Sequence, residues 1–283
     1  MEKAFLLGAG LSGLKTITHC RKSLEERGLN ISFEAKDISQ MALAQAFIQA
    51  KDFKFCLVEA PYKALSFEAA DHAGITVQLA RGANMLINLK NQLIAASTEG
   101  EAAIAYLEQA GFDFKGKNIV ICGTGIMSLA TLHSAVIHGA DRLCLISRDK
   151  QRASARLKKY VSTLKEKVNL DLAFLSAGDA YRSLSDAFDQ AEFMYADYKT
   201  STKTLKEADL IINATPLGEK LADPSPFDTS LIMSEQWVLD CAVSEHETSL
   251  VREAKTKTNH VLDGNGLQKV VVETCLDLAE DLQ

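Results

Sequence analysis

Two glycine-rich turns, each set between an apolar strand and a helix, constrain the fold of this chain most strongly. The first follows AFLL and reads Gly8-x-Gly10-x-x-Gly13; the second follows NIVIC and reads Gly123-x-Gly125-x-x-Ser128. Glycines in such a turn allow a tight bend and let a pyrophosphate approach the N-terminus of the following helix. Either turn is therefore a candidate dinucleotide site. A cofactor on the first turn would indicate a flavoprotein, and a cofactor on the second a nicotinamide enzyme with a separate domain in front.

Strand and helix patterns alternate along almost the whole sequence, which predicts parallel sheets with helices on both faces. At 283 residues the chain is long enough for two such α/β domains. The strands are predicted at 4–8, 30–35, 54–60, 84–88, 118–122, 142–147, 209–213 and 237–241. The helices are predicted at 11–27, 39–50, 64–73, 99–111, 125–138 and 149–166. The polar stretch at 167–207 has no clear pattern and is interpreted as an insertion.

Composition narrows the range of partners. The sequence is 47% hydrophobic and 24% charged, as in soluble globular proteins, and its net charge of −6 gives no reason to expect nucleic acid. The six cysteines form no CxxC pair and several lie in apolar strands, which indicates reduced core residues and no metal site. The apolar N-terminus lacks the basic segment of a signal peptide, and no apolar run is long enough to span a bilayer. We therefore expect a cytoplasmic protein without a membrane partner.

The second glycine turn has the stronger context for a nicotinamide nucleotide. The strand after it ends in Ser147-Arg148-Asp149, followed by Lys150 and Arg152. Basic groups here suit the 2′-phosphate of NADP, whereas an acid suits the 2′-hydroxyl of NAD. Because Asp149 stands among the basic residues, NADP is favoured and NAD stays possible. The alternative is the solvated basic start of a helix.

The first turn also has two interpretations. Glu34 near the end of the next strand could bind a ribose, as in a flavoprotein, but no later flavin-binding segment follows. The alternative is a plain strand-to-helix turn of an α/β domain.

A series of short motifs follows a recognisable order along the chain. They are Leu57-Val58-Glu59-Ala60-Pro61-Tyr62-Lys63, Gly82-Ala83-Asn84, LIAASTEG at 93–100, Gly123-Thr124-Gly125-Ile126-Met127, Ser147-Arg148-Asp149, IINATPLG at 211–218, Asp240, Glu247-Thr248-x-Leu250 and Asp263-Gly264-Asn265-Gly266. In this order the chain resembles the shikimate dehydrogenase family over nearly its whole length. The most specific match is INATPLG, where the family has I-N-A-T-P-x-G.

The resemblance implies a two-domain α/β fold. It assigns residues 1–102 to a substrate-binding domain, completed by a C-terminal helix at 262–283, and 103–261 to a Rossmann-type, doubly wound NADP-binding domain. The active site would lie in the cleft between them, and the first glycine turn would belong to the substrate domain. The implied activity is the NADP-dependent, reversible reduction of a ring ketone such as 3-dehydroshikimate, a reaction of aromatic amino acid biosynthesis. The implied partner is a small-molecule substrate, and the implied state is a monomer or homodimer.

The resemblance also assigns roles to individual residues. Lys63 and Glu99 would be the catalytic pair that handles the proton. The residues that would bind substrate are Thr16, Glu59, Asn84 and Ser97. The residues that would bind the cofactor are Gly123, Thr124, Gly125, Ile126, Met127, Ser147, Arg148, Asp149, Arg152, Asn213, Ala214, Thr215, Pro216, Cys241 and Gly264.

The substrate half departs from the family pattern more than the cofactor half. Glu59 replaces a threonine, Ser97 an asparagine and Glu99 an aspartate, while Val243 and Val271 replace a tyrosine and a glutamine. Valine removes hydrogen-bonding groups, and Glu59 adds an anion where an anionic substrate would bind. The sequence therefore leaves open a substrate that differs from that of the family. Two further hypotheses also stay open: a non-catalytic nicotinamide-nucleotide-binding sensor or regulator on the same fold, and a flavoprotein using the Gly8–Gly13 turn.

Overall fold

The computed structural model describes residues 2–11, 14–174 and 188–282 of the chain. They form two compact units, one of Met1–Ala102 with Gln268–Gln283 and the other of Ala103–Leu267. Each unit contains one six-stranded sheet. The predicted α/β class with two sheets is confirmed.

The first unit combines strands and short helices. Its strands are β1 (Glu2–Gly8), β2 (Ile31–Asp37), β3 (Phe55–Val58), β4 (His72–Ala73), β5 (Met85–Leu89) and β6 (Gln92–Ala96). Its helices are α1 (Leu14–Glu26), α2 (Met41–Ala50), α3 (Lys63–Ala69) and α4 (Ile75–Ala80). The chain leaves this unit within α5 (Glu99–Gln109) and returns to it within α10 (Gly264–Asp281).

The sheet of the first unit is mixed, with strand order β2-β1-β3-β5-β6-β4. β1 pairs in parallel with β2 and β3, and β5 is antiparallel to β3 and β6. The central β3 (FCLV) is buried at every position, which explains its continuous apolar run. β5 and β6 form a hairpin that the sequence pattern did not predict, with Lys90 and Asn91 both in the left-handed region (φ 51° and 67°).

The second unit is a regular Rossmann sheet. Its strands are β7 (Asn118–Cys122), β8 (Arg142–Ser147), β9 (Glu192–Asp197), β10 (Leu210–Asn213), β11 (Trp237–Asp240) and β12 (Val261–Leu262). Its helices are α6 (Ile126–Ile137), α7 (Lys150–Phe174), α8 (Thr202–Lys206) and α9 (Ser249–Ala254), with a 3-10 turn at Thr229–Leu231.

All strand pairs of this second sheet are parallel, and their order is β9-β8-β7-β10-β11-β12. In chain order within the unit this is 3-2-1-4-5-6, the doubly wound dinucleotide-binding arrangement. The interpretation of 167–207 as an insertion is wrong for its described part, since β9 and α8 belong to the regular fold. β9 (EFMYAD) lies at the sheet edge and is only partly buried, so its sequence lacks a continuous apolar run.

Candidate active site

The substrate-binding residues that the sequence predicts gather at one edge of the first sheet. β3 runs parallel to β1 and antiparallel to β5, and β6 is antiparallel to β5, so the carboxyl ends of β1, β3 and β6 and the amino end of β5 share that edge. Glu59 directly follows β3, Asn84 precedes β5 and Ser97 follows β6. Lys63 begins α3 and Glu99 begins α5, close behind these strand ends. We call this set of five residues the sheet-edge site.

The centre of the sheet-edge site is an ion pair. Lys63 Nζ donates to Glu99 Oε1 at 2.5 Å, and the two side chains are only 18% and 13% exposed. The backbone around Lys63 is fixed, because the Tyr62 N–H donates to the Glu59 carbonyl at 2.9 Å and the Ala83 N–H donates to the Lys63 carbonyl at 2.8 Å. The Tyr62 side chain is fully buried and its hydroxyl donates to the Ile38 carbonyl. The lysine is therefore held in one place by its neighbours as well as by the acid.

Two polar atoms of the site are buried and have no partner in the part of the chain that the structure describes. Glu99 Oε2 and Ser97 Oγ have no hydrogen-bond partner among the residues that the structure describes. Unsatisfied buried polar atoms are uncommon and costly. An ionised carboxylate oxygen only accepts hydrogen bonds, whereas a hydroxyl can both donate and accept. The site thus contains a buried acceptor and a buried hydroxyl, each without a partner in the described part of the chain.

Asn84, by contrast, is used within the protein. Its Nδ2 donates to Thr98 Oγ1 and its Oδ1 accepts from the Thr98 N–H, both at 2.8 Å. Thr98 Oγ1 also lies 3.1 Å from Cys275 Sγ on α10. This network holds the segment that carries Ser97 and Glu99 on either side of Thr98. No sequence motif marks Thr98 or Cys275 for this role.

Cys275 is suited to such a structural role. Burial raises the pKa of its thiol to about 12, so the group stays protonated near neutral pH. It lies one helical turn after Val271, a buried apolar residue that replaces a family glutamine. The helix α10 therefore contributes a protonated thiol and an apolar valine side chain to the first unit.

The described part of the first glycine turn is not shaped for a pyrophosphate. A Cβ on Gly8 would lie 2.2 Å from Leu11 Cδ2, which means that the Leu11 side chain covers this glycine. The Gly10 N–H donates to Asp37 Oδ1 at 2.8 Å, so a carboxylate of the protein occupies this donor. Gly13 lies outside the described residues. Thr16 is buried in α1.

The second glycine turn is placed at the switch point of the Rossmann sheet, where β7 and β10 diverge to opposite sides. Gly123 has φ +120°, and a Cβ there would lie 2.8 Å from the Ala214 carbonyl oxygen. Only glycine allows this close approach of the two strand ends. The Ala214 N–H donates to the Cys122 carbonyl at 2.9 Å, which ties the two turns together.

The first backbone N–H groups of the helix after this turn are candidate donors to a ligand. Gly125 begins α6 with an extended backbone, and no side chain of the described residues caps it. The N–H groups of the first turn, which includes Ile126 and Met127, are therefore available to an anion. Ser128 Oγ is buried and without a partner in the described part of the chain. These donors fit a dinucleotide phosphate.

A basic group of residues follows β8, and the acid among them is already engaged. Asp149 Oδ1 accepts from the N–H groups of Gln151 at 2.8 Å and Arg152 at 3.2 Å, so this carboxylate caps α7. Ser147 Oγ donates to the Asp149 carbonyl and fixes the same turn. Arg148 and Arg152 are exposed. The sequence could not distinguish a cap from a ribose ligand, whereas the structure gives Asp149 the capping role.

Two further residues near this turn, Arg156 and Tyr198, were not predicted from the motifs. Arg156, half-buried on α7, donates from Nε to the Thr124 carbonyl oxygen at 3.1 Å. The Tyr198 hydroxyl, after β9, is hydrogen-bonded to the Cys122 thiol; burial raises the pKa of Tyr198, while the Arg148 charge lowers it. Arg156 lies four residues after Arg152, which is the spacing of one helix face and was a signal available in the sequence.

Side-chain hydrogen bonds of Asn213 hold the INATPLG segment in place. Asn213 Nδ2 donates to Leu217 O at 2.9 Å and Asp240 Oδ1 at 2.8 Å, while its Oδ1 accepts from both Thr215 N and Oγ1. The buried Asp240 also accepts from Thr248 Oγ1 at 2.6 Å. Burial raises the pKa of Asp240, and these hydrogen bonds oppose that rise. The Asn213 side chain is thus fully used within the protein.

The remaining predicted cofactor residues lie on the same sheet edge. Ala214, Thr215 and Pro216 follow β10, and Cys241 follows β11, where its N–H donates to the Asn213 carbonyl at 2.9 Å. A Cβ on Gly264 would lie 2.2 Å from the Ala242 carbonyl oxygen, so this glycine lets the start of α10 pack against the loop after β11. The cofactor roles of all these residues stay predictions.

The described residues show no other obvious class of site. No three His, Cys, Asp or Glu side chains within them come together as ligands for a metal ion. None of their helices combines the length and apolar character that crossing a bilayer requires.

Comparison with known proteins gives consistent relatives. No protein-family model matches the chain. A quinate/shikimate dehydrogenase of Escherichia coli is 26% identical over 250 residues, which is 87% of this chain and 80% of the relative. The resemblance to the shikimate dehydrogenase family that the motifs predict is confirmed.

Solved structures agree on the fold. The shikimate dehydrogenase of Aquifex aeolicus matches with a TM-score of 0.80 at 19% identity, over 99% of this chain and 93% of that one. Shikimate 5-dehydrogenase from Thermus thermophilus, solved in complex with NADP(H) and shikimate, matches with a TM-score of 0.79 at 19% identity, over 99% and 94%. The two-domain fold of this family is therefore the fold of this chain.

Proposed function

We propose that this protein is an NADP-dependent oxidoreductase that interconverts a ring ketone and its alcohol, as 3-dehydroshikimate and shikimate are interconverted, on a substrate that has diverged. The Lys63–Glu99 pair carries this proposal, because it places a proton donor beside a carboxylate whose second oxygen is buried and has no partner among the described residues. The names of the curated relative and of the Thermus thermophilus complex support the reaction class and the cofactor.

The proposed division of labour follows the two units. The first unit would hold the substrate at the sheet-edge site, and the second would hold NADP on the Gly123 turn. NADPH, when bound, supplies the hydride. Lys63 would donate a proton to the carbonyl oxygen of the substrate during reduction and recover it during oxidation. Glu99 would orient Lys63 through Oε1 and accept a hydroxyl of the substrate through Oε2.

The preference for NADP rests on the group after β8. Arg148 and Arg152 are exposed cations beside the turn. The Asp149 carboxylate accepts two N–H groups of its own helix, which leaves it a poorer partner for a ribose 2′-hydroxyl. A 2′-phosphate would therefore find positive charge here, whereas NAD would lack its usual acid.

Assays of the purified protein test the proposal. NADPH oxidation with 3-dehydroshikimate, and NADP⁺ reduction with shikimate and quinate, should show turnover at a level that Lys63→Met lowers by about 10²–10⁴-fold. NADPH affinity should stay the same in this variant, and Lys22→Met, which changes an exposed lysine of α1, should leave both quantities unchanged. Binding of NADPH without turnover of any ring ketone or alcohol would favour the sensor over the enzyme.

The flavoprotein hypothesis has less support. The Leu11 side chain lies over Gly8, and the Asp37 carboxylate takes the Gly10 N–H. Both would have to move before a pyrophosphate could bind there. A visible absorption band of bound flavin in the spectrum of the purified protein would contradict our proposal on this point.

A further inference from the structure

The turn after β10 contains a hydroxyl group whose hydrogen bonds can all be given a direction. Thr215 Oγ1 lies 2.6 Å from Asn213 Oδ1 and 3.2 Å from the Leu217 nitrogen. The Leu217 N–H can only donate and an amide oxygen can only accept, so the hydroxyl accepts from Leu217 and donates to Asn213. A hydroxyl has one hydrogen and two lone pairs. Within the described residues, Thr215 Oγ1 therefore keeps one free lone pair and no free hydrogen.

These directions depend on the side-chain amide of Asn213, and three neighbouring groups fix its orientation. Asp240 Oδ1 and the Leu217 carbonyl oxygen accept from Asn213 Nδ2 at 2.8 Å and 2.9 Å. The Thr215 N–H donates to Asn213 Oδ1 at 3.0 Å. A reversed amide would place its oxygen against two acceptors and its nitrogen against a donor. The Asn213 oxygen therefore faces Thr215.

A buried carboxylate holds this arrangement in place. Asn213 and Asp240 are both 0% exposed, and Asp240 also accepts from Thr248 Oγ1 at 2.6 Å and from the Ala242 N–H at 3.2 Å. Removing a partner from a buried polar atom costs free energy. Turning the Thr215 hydroxyl towards a ligand would remove a hydrogen bond from the buried Asn213 oxygen, so the hydroxyl hydrogen stays inside the protein.

Thr215 lies on the side of the sheet that the nicotinamide half of a dinucleotide would use. The doubly wound order consists of two mononucleotide-binding halves, and β10 begins the second half. Arg148, which is proposed for the 2′-phosphate of the adenosine half, follows β8 in the first half. Thr215 comes two residues after the end of β10 and is half-buried, so part of its surface is accessible.

We propose that Thr215 is a specificity residue that accepts a hydrogen bond from a donor in the nicotinamide half of the cofactor. This donor is a ribose hydroxyl or the carboxamide N–H, since these are the donors that this half contains. Phosphate oxygens would instead face the lone pair of Thr215 without a proton between them, and the N–H groups at the start of α6 suit them better. The inference rests on the proposed function, because it names the ligand chemistry at one predicted cofactor residue.

Equilibrium titrations of one variant with four nucleotides test the inference. Thr215→Val keeps the shape of the side chain and removes the hydroxyl. It should weaken the binding of NADPH and NADP⁺ by about threefold to tenfold, the loss expected for one hydrogen bond. The binding of 2′,5′-ADP, which contains only the adenosine half, should stay within about twofold of the wild type.

The fourth nucleotide, 2′-phospho-ADP-ribose, identifies the donor. It contains the second ribose but no nicotinamide. If Thr215→Val weakens its binding as much as that of NADPH, the donor is a ribose hydroxyl. If its binding does not change, the donor is the carboxamide.

Two further variants serve as controls. Thr215→Ser restores the hydroxyl and should bind all four nucleotides like the wild type. Thr256→Val removes an exposed hydroxyl that donates to the Glu253 carbonyl at 2.7 Å, and it should also bind like the wild type. Urea unfolding of each variant establishes that the titrated protein is folded.

The outcomes separate the inference from the proposed function. Unchanged NADPH binding by Thr215→Val would overturn the inference, as would an equal loss for 2′,5′-ADP or the same loss in Thr215→Ser; turnover would still support the enzyme. The expected pattern of affinities without turnover of any substrate would uphold the inference and count against the oxidoreductase. A wild type that binds none of the four nucleotides would overturn the inference together with the cofactor assignment in the first titration.

Discussion

Arg156 Nε donates a hydrogen bond to the carbonyl oxygen of Thr124 at 3.1 Å, which links the side of α7 to the turn between β7 and α6. Thr124 is the residue between the two glycines of the turn, so its carbonyl sets how the neighbouring N–H groups point. A half-buried guanidinium on this carbonyl positions the turn, whether or not it also contacts a ligand.

Arg156→Met is therefore expected to weaken NADPH and NADH alike. Loss of a charged hydrogen bond of this kind corresponds to about 1.5 kcal/mol, or about tenfold in affinity. Fluorescence titration with both nucleotides measures the effect, and Lys159→Met, at an exposed position of the same helix, is the control. A loss confined to NADPH would mean that Arg156 is a phosphate ligand and not a support for the turn.

Arg148→Ala is expected to discriminate between the two nucleotides. If Arg148 contacts the 2′-phosphate, NADPH affinity should fall by about tenfold to a hundredfold, while NADH affinity changes less than about twofold. Arg142→Ala provides a matched control, because Arg142 begins the same strand and pairs with Glu192 at 2.9 Å. Equal losses of affinity for NADPH and NADH would contradict the assignment of Arg148 to the 2′-phosphate.

The parts of the fold that the sequence predicted are those with a local signal. β7 (NIVIC) and β10 (LIIN) are continuous apolar runs because they are buried on both faces, and the glycines after β7 mark the turn. The β5–β6 hairpin had no such signal, since its two-residue turn uses Lys90 and Asn91 without a glycine. β9 was missed because an edge strand needs no full apolar pattern.

The candidate site was predictable in part for the same reason. Lys63 and Glu99 were found through short motifs, and the structure brings them together. Cys275 was not found, because it lies 177 residues from Thr98 and approaches it only through the return of α10 to the first unit. Asn84 is predicted to bind substrate, and in the structure its side-chain amide donates to Thr98 Oγ1. No sequence motif distinguishes a contact with a ligand from a hydrogen bond within the protein.

Gly123→Ala is expected to destabilise the second unit. The new Cβ would lie 2.8 Å from the Ala214 carbonyl oxygen, and its backbone would keep φ at +120°. Strain of this type costs about 1–3 kcal/mol. Urea unfolding measures the loss. Gly125→Ala is the control, since its Cβ would meet no described atom within 4 Å and its φ of −81° suits alanine, so a change below about 1 kcal/mol is expected.

A pH dependence is expected from the contact between α1 and α10. Burial would raise the pKa of Glu273, but hydrogen bonds from Ser23 and Arg27 outweigh it and hold this pKa below its usual value of 4.5. A carboxyl with a lowered pKa in the folded state stabilises the fold above its unfolded pKa and loses that contribution as the pH falls through the folded pKa. Glu273→Gln should therefore lower the free energy of unfolding at pH 7 by no more than about 1 kcal/mol, since the group is partly exposed.

Near pH 3 the same variant should differ less from the wild type than at pH 7, because the contribution of the charge fades below the usual pKa of a glutamate and is gone once the pH is below the lowered pKa of the folded state. Glu25→Gln, an exposed acid of α1, should show no such difference between the two pH values. A destabilisation by Glu273→Gln that is equal at both would mean that the side chain acts through packing and not through its charge.

The last prediction concerns the length of the acid beside Lys63. Glu99 reaches Lys63 Nζ with one oxygen while the other stays buried and without a partner in the described residues. Glu99→Asp keeps the charge but withdraws both oxygens by one methylene, about 1.5 Å. Since a displacement of this size at a reacting group costs about a hundredfold, we expect kcat to fall to that extent with the best substrate.

Glu99→Gln separates the effect of side-chain length from the effect of charge. It keeps the length and the contact with Lys63 while removing the carboxylate, so a loss in both variants requires an acid at this distance. NADPH affinity should stay constant in both, because the proposed cofactor residues belong to the second unit. If Glu99→Asp instead improves the turnover of shikimate, the extra methylene is a drift within a site that still binds shikimate, and the need for an acid at the length of Glu99 would be contradicted.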